Sequence, residues 1–276
     1  GLSSRLKAVD DTLKKQNPEE LEEKLDNHDA LVEAVARADV FGLTRTPIFE
    51  PRRPIAVHEA LAVDAARLLF FPISAAPDAE IRDWLASLGA LRKGFDQKGL
   101  RQWKREHPGH QSFTVIRHPL LRAYQAFHTK IVSGVLPHHR NTLVRAYKAS
   151  LPAPGQPFAT EAERRAFLVF LHYARLSVLG QCGQRVDANW ASQSAILQSI
   201  ARFHPVDLVI REDRLQSAFA YLTGNDTVTS PEISSADPYR AGLDAIYNER
   251  VETAGIAAYA RDYSGFGFRR WRGQAA

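Results

Sequence analysis

Three short apolar runs constrain the fold more than any other feature of this chain. They are Leu68-Leu69-Phe70-Phe71, Ser112-Phe113-Thr114-Val115-Ile116 and Val206-Asp207-Leu208-Val209-Ile210, and each leads through a brief junction into a helical pattern. Runs this short, apolar and β-branched or aromatic suit strands buried on both faces of a sheet. The first junction is Pro72-Ile73-Ser74-Ala75-Ala76-Pro77, and a helix is expected to open at Pro77-Asp78-Ala79-Glu80 with Ile81, Trp84, Leu85 and Leu88 on one face. The second is Arg117-His118-Pro119, followed by Leu120, Leu121, Tyr124, Phe127 and Ile131. The third is Arg211, before Leu215, Phe219 and Leu222. Strands alternating with helices predict an α/β protein with a central, mostly parallel sheet flanked by helices. In such sheets ligands bind beyond the carboxyl ends of the strands, where the first two junctions fall.

Around this centre the chain has further expected parts. Residues 1–46 read as a helical extension: Asn17-Pro18-Glu19-Glu20 is a good helix start, and Leu21, Leu25, Val32 and Val35 follow at helical spacing. That stripe either packs on the body of the protein or pairs two copies into a homodimer. Phe41 to Pro54, with three prolines and Arg45, Arg52 and Arg53, reads as an extended basic connector. Long helices are expected over 161–179 and 244–263, with a polar loop from Gly224 to Pro238.

Composition narrows the function classes. The 276 residues carry 36 Lys plus Arg against 31 Asp plus Glu, a formal charge of +5, too mild for a nucleic-acid coat but suited to a local anion site. The single cysteine, Cys182, forbids an intrachain disulfide and reads as a reducing compartment or indifference to redox; a cytoplasmic location is the expectation. It has no metal-ligand partners at useful spacing, so no metal site is expected. No apolar run approaches the roughly 18 to 20 residues of a membrane span. The basic cluster Arg269, Arg270 and Arg272 is either a solvated tail or a guide toward an anionic polysaccharide or the inner membrane face.

The two junctions carry the candidate chemistry. A strand, a turn of small residues and a helix N-terminus bring backbone N–H groups against a phosphate, which points to Ser74, Ala75 and Ala76. Arg117 presents a planar fork of donors suited to a second phosphate.

Four stretches then resemble the family of carbohydrate sulfotransferases, the Golgi-type group with bacterial relatives. They are Phe113–Phe127, with Arg117-His118-Pro119 after an apolar strand; Asn189-Trp190-Ala191-Ser192-Gln193, similar to the family's His-Trp-x-Pro-Gln loop; Asp207–Leu215; and Tyr259–Phe268, close to its Asp-Tyr-x-x-Phe-Gly-Tyr ending. The resemblance covers roughly residues 66–268. It implies a P-loop-NTPase-like sulfotransferase fold over 47–276. It also implies transfer of a sulfonate group from the co-substrate 3′-phosphoadenosine-5′-phosphosulfate (PAPS) to a hydroxyl of a glycan or glycolipid acceptor. Arg117 and Gln125 would then meet the 3′-phosphate, and Ser74, Ala75 and Ala76 the 5′-phosphosulfate. Trp190 would stack on adenine or a sugar, or else anchor the core.

Two departures qualify the resemblance. The family's loop after the first strand reads Pro-Lys-Thr-Gly-Gly-Thr or similar, whereas here Ile73 stands at the Lys position and alanines replace the glycines. That Lys meets charge on the leaving oxygen, a contribution of roughly several kcal/mol at a transition state. Gln125 stands where the family usually has Ser. The alternative reading is therefore a catalytically impaired binding or scaffold protein on the same fold. An active enzyme also needs a base for the acceptor hydroxyl. Candidates are His58, Glu59, His107, His110 and His118, with His118 and His110 the leading pair.

Overall fold

In chain order the strands are β1 (Leu61–Val63), β2 (Leu68–Phe70), β3 (Leu91–Arg92), β4 (Gln111–Ile116) and β5 (Leu208–Arg211). The helices are α1 (Ala79–Leu88), α2 (Gln97–Glu106), α3 (Pro119–Ala126), α4 (Pro137–Arg145), α5 (Thr160–Val178), α6 (Gln193–Ala201), α7 (Leu215–Thr223), α8 (Pro238–Ile246) and α9 (Glu249–Gly265). A π-helical turn, Phe127–Val132, continues α3, and a 3₁₀ turn, Glu212–Arg214, follows β5. This computed structural model describes residues 59–182, 186–201, 204–224 and 237–271. The expected extension 1–46, the connector at 41–54, His58, Arg272 and most of the loop 224–238 lie outside the described residues.

The architecture is α/β, with a sheet ordered β3-β1-β2-β4-β5. The expectation of a mostly parallel sheet needs correction. β2–β4 and β4–β5 are parallel, but β1 pairs antiparallel with both β2 and β3. The reason is a hairpin the sequence hides. Asp64-Ala65-Ala66-Arg67 reverses the chain with Arg67 N–H bonded to the Asp64 carbonyl at 3.2 Å, and Arg67 itself takes the left-handed conformation (φ 52). No glycine marks this turn, and β1 and β3 have only three and two residues, too few to show an alternating pattern.

The chain divides into two units, crossing between them after His118, Ser194 and Asp237. The sheet unit holds all five strands. Leu68, Phe70, Phe113, Val115 and Ile210 share a core with Ile81, Trp84 and Leu85 of α1 and Leu215, Phe219 and Leu222 of α7. Trp84 stacks on Phe219 with centroids 4.0 Å apart, clamping the two helices over that apolar core.

In the helical unit α5 packs on α9, α4 and α8, and α3 packs on α8 and α9. Two glycines permit the close approaches. A Cβ at Gly255 would stand 2.7 Å from Leu120 Cδ1, and one at Gly242 would stand 2.5 Å from the Tyr124 hydroxyl. The expected final helix over 244–263 is two helices. The break falls at Tyr247-Asn248, where the Asn248 side chain caps α9 by accepting from Val251 N–H at 3.0 Å.

Candidate functional site

Parallel pairing places the carboxyl ends of β2, β4 and β5 on one edge of the sheet. The register Phe70↔Phe113 and Ile116↔Arg211 aligns the turn after Phe71 with the end of β4 and the Glu212–Arg214 turn. Phe71 N–H bonds the Phe113 carbonyl at 2.9 Å, and the Thr114 hydroxyl donates to the Phe71 carbonyl at 2.6 Å, so the departing chain is held to β4.

Arg117 stands at this edge, 4% exposed. Its Nε donates to Glu212 Oε2 at 2.9 Å and its NH2 reaches Asp237 Oδ2 at 3.0 Å. Glu212 Oε1 also receives the backbone N–H of His118 at 3.4 Å. The guanidinium therefore faces two carboxylates, and a phosphate reaching it must displace at least one of them. His118, beside it, is buried.

The turn after β2 differs from a phosphate cradle in three respects. Ile73 is 3% exposed, so the side chain at the Lys position belongs to the core. Ala76 N–H closes a tight turn onto the Ile73 carbonyl at 3.1 Å. Ala75 sits in the left-handed region (φ 60), a conformation that costs an L-residue about 1 kcal/mol and suits the glycine found there in the resembled family. Ser74 lies half-buried in the same turn. At the start of α1, Asp78 occupies the capping position without bonding the helix backbone, and its Oδ2 accepts from Arg82 Nε at 2.6 Å. Burial and then the Asp78 charge hold the Glu59 carboxyl above its usual range. The Asp78–Arg82 pair thus occupies this helix start, where an anion would otherwise be favoured.

His107 and His110 lie at the other end of β4. His107 caps α2 and stacks on Trp103, and the His110 ring faces the His107 carbonyl at 3.0 Å. The six residues of β4 separate His110 from Arg117 by about 20 Å, so His110 and His118 do not share a site. Near this end Asp207 accepts from the Ser112 backbone at 2.8 Å and its hydroxyl at 2.6 Å, and despite burial these bonds hold its carboxyl below the ordinary range.

His204 gives the sheet unit a testable acid response. Burial, followed by the charges of Lys104, His110 and Arg101, pushes its imidazole down to about 4 from 6.5. Between those values the unfolded chain binds the proton and the folded one does not, so stability is lost as pH falls from 6.5 to 4. The loss is about 3 kcal/mol. Denaturant titrations at the two pH values measure it, and His204→Phe removes that part of the acid sensitivity.

In the helical unit the first, second and fourth family-like stretches meet in one buried polar network. Asp262, fully buried on α9, accepts from Gln193 N–H and Ser194 N–H at 2.8 Å each, capping α6 from a distance. Arg122 of α3 donates to the carbonyls of Ala191 at 2.6 Å and Ala188 at 2.8 Å. The Tyr259 hydroxyl donates to the Trp190 carbonyl at 3.0 Å, at a residue whose backbone departs from helical geometry (φ −128, ψ 32). Trp190 is fully buried against His139, Phe170 and Tyr173, the place of a core anchor. Gln125 is half-buried, and its carbonyl accepts from the Thr129 hydroxyl at 2.8 Å.

Sequence reasoning missed Glu212 and Asp237 as partners of Arg117, and missed Asp262 as a helix cap. Glu212 had a usable signal, since it follows Arg211 directly at the end of a strand. Asp262 had none, because the amides it caps are 69 and 68 residues away. Among the described residues no group of His, Cys, Asp or Glu could hold a metal ion, and no helix is long and apolar enough to cross a membrane. Comparison with family models, curated proteins and solved structures finds no match to this chain.

Proposed function

We propose that the protein is a PAPS-dependent sulfotransferase of the P-loop-like α/β type, moving sulfonate to a hydroxyl of a glycan or glycolipid. The observation that carries this reading is Arg117: a buried guanidinium at the carboxyl end of β4, on the same sheet edge as the turn following β2. A fork of donors held beyond a parallel strand suits a nucleotide phosphate. The resemblance supports it further, because its stretches lock together in the structure: Arg117 with Glu212, and Arg122, Asn189–Gln193 and Asp262 with one another.

A second reading has its own observation. Ile73 is in the core, none of residues 72–78 is a Lys or Arg that would meet charge on the leaving oxygen, and the neighbouring Arg82 is paired with Asp78. The chain would then bind the nucleotide without efficient transfer.

Titration calorimetry with 3′-phosphoadenosine-5′-phosphate tests the donor site. Micromolar binding is expected. Asp237→Asn, which removes one of the two carboxylates competing for Arg117, strengthens it about tenfold. No heat at millimolar nucleotide from either protein overturns both readings. Binding without release of sulfonate from labelled PAPS favours the second.

A further inference from the structure

Transfer to a hydroxyl needs a proton acceptor that the substrate can reach at the carboxyl edge of the sheet, and the two leading histidines do not supply one: His118 is 1% exposed and His110 lies at the far end of β4. Glu59 meets both requirements from within the sheet unit. β1 runs antiparallel to β2 with Leu61 opposite Phe70, so the start of β1 lies at the carboxyl end of β2, and Glu59 stands two residues ahead of it. Leu61 and Val63 share their core with Ile81, Trp84 and Leu85 of α1, which sets the start of β1 beside the start of that helix. In the strand order β2 falls between β1 and β4, so the turn at 72–78 leaves the sheet between Glu59 and Arg117. Two strand spacings, about 10 Å, separate β1 from β4. Glu59 itself is exposed, so a hydroxyl can reach it.

A carboxylate that titrates as it does in water is a weak base at neutral pH. Glu59 departs from this. The burial its carboxyl does have, followed by the charge of Asp78, raises it above the usual range, and the charge of Arg82 opposes them. Both charges stand at the start of α1. Asp78 Oδ2 accepts from Arg82 Nε at 2.6 Å, while Asp78 Oδ1 is buried with no hydrogen bond to any described residue, so Arg82 compensates Asp78 only in part. A carboxyl raised on folding contributes stability at low pH that is lost once pH is high enough to ionise it in the folded chain. At neutral pH the Glu59 carboxylate is therefore kept at a cost, on the edge where the parallel strands end. A carboxyl placed and raised in this way is suited to proton transfer.

We propose that Glu59 is the catalytic base, with Asp78 as its positioning residue; this rests on the sulfotransferase reading. That reading assigns the 5′-phosphosulfate to the turn at 72–78, between Glu59 and Arg117. In the reaction the acceptor O–H proton moves to a Glu59 carboxylate oxygen as the acceptor oxygen bonds the sulfur. The bond between sulfur and the 5′-phosphate oxygen breaks, and its electron pair leaves on that oxygen. The Glu59 carboxyl afterwards returns the proton to solvent, which its exposure allows.

The test measures release of 3′-phosphoadenosine-5′-phosphate from PAPS with water as the acceptor probe, from pH 5 to 9, in the parent, Glu59→Gln and Asp78→Asn. Nucleotide affinity and thermal unfolding of all three are measured alongside. Gln keeps the size of the side chain and sheds a charge held at a cost, so Glu59→Gln is expected to fold and to bind nucleotide as the parent does. Its rate is expected to fall about 100-fold or more, and the parent's loss of rate on acidification is absent from it. Asp78→Asn keeps the base and moves that loss toward lower pH, because a charge that raises the Glu59 carboxyl is gone. An acid limb that stays in place in Asp78→Asn overturns the positioning role. A Glu59→Gln variant that keeps both the rate and the acid limb overturns the assignment of Glu59 and leaves the donor site standing. A parent that binds nucleotide but never turns over also overturns the base. A parent that does neither overturns the sulfotransferase reading, and the base falls with it.

Discussion

Arg117→Ala is expected to destabilise the protein by about 3–5 kcal/mol, the cost of breaking a buried ion pair by removing one partner. The side chains of Arg117, Glu212 and Asp237 are only 5%, 6% and 10% exposed. Without the guanidinium, Glu212 and Asp237 lose the buried cation they share. An Arg that merely awaited a ligand would sit in water, and its loss would change stability by less than about 0.5 kcal/mol. Chemical denaturation of the ligand-free protein separates the two cases. Adding Glu212→Gln to Arg117→Ala should recover part of the loss, since it removes one of the two buried charges that shared the guanidinium. Loss of nucleotide binding in Arg117→Ala alone is therefore weak support for a donor site. The Asp237→Asn variant, which leaves the guanidinium in place, is the cleaner comparison.

The second large effect belongs to Asp262. Asp262→Ala leaves Gln193 N–H and Ser194 N–H without their acceptor and removes a buried carboxyl that interacts with the Arg122 guanidinium. A loss of about 3–5 kcal/mol is expected. Asp262→Asn keeps one acceptor oxygen and the side-chain volume, so it should lose less. Calorimetric unfolding of the two variants ranks them, and equal stability of Asp262→Ala and the parent would show the cap to be dispensable. The fourth family-like stretch thus does structural work: Asp262 holds the start of α6, and Tyr259 holds the loop that carries Trp190.

The parts of this fold legible in the sequence are those whose signals are local. β2, β4 and β5 announced themselves as short apolar runs, and α1, α3 and α7 as helical stripes after them; β2 and most of β4 are buried as such runs suggest, whereas β5 lies last in the strand order with Val209 exposed. β5 starts two residues later than expected, since Asp207 turns to bond Ser112 instead of extending the strand. β1 and β3 escaped because strands of three and two residues carry no period. The site was legible only by halves. Arg117 could be placed at the end of a strand, but its partners Glu212 and Asp237 come from 95 and 120 residues further on, and no local pattern pairs a buried cation with distant carboxylates.

A crystal structure with 3′-phosphoadenosine-5′-phosphate bound tests the central claim most directly. The account predicts one phosphate within hydrogen-bonding distance of the Arg117 guanidinium, with Asp237 or Glu212 displaced from it, and the other phosphate against the backbone of residues 74–78. A nucleotide bound elsewhere, with Arg117 still held by both carboxylates, would contradict it.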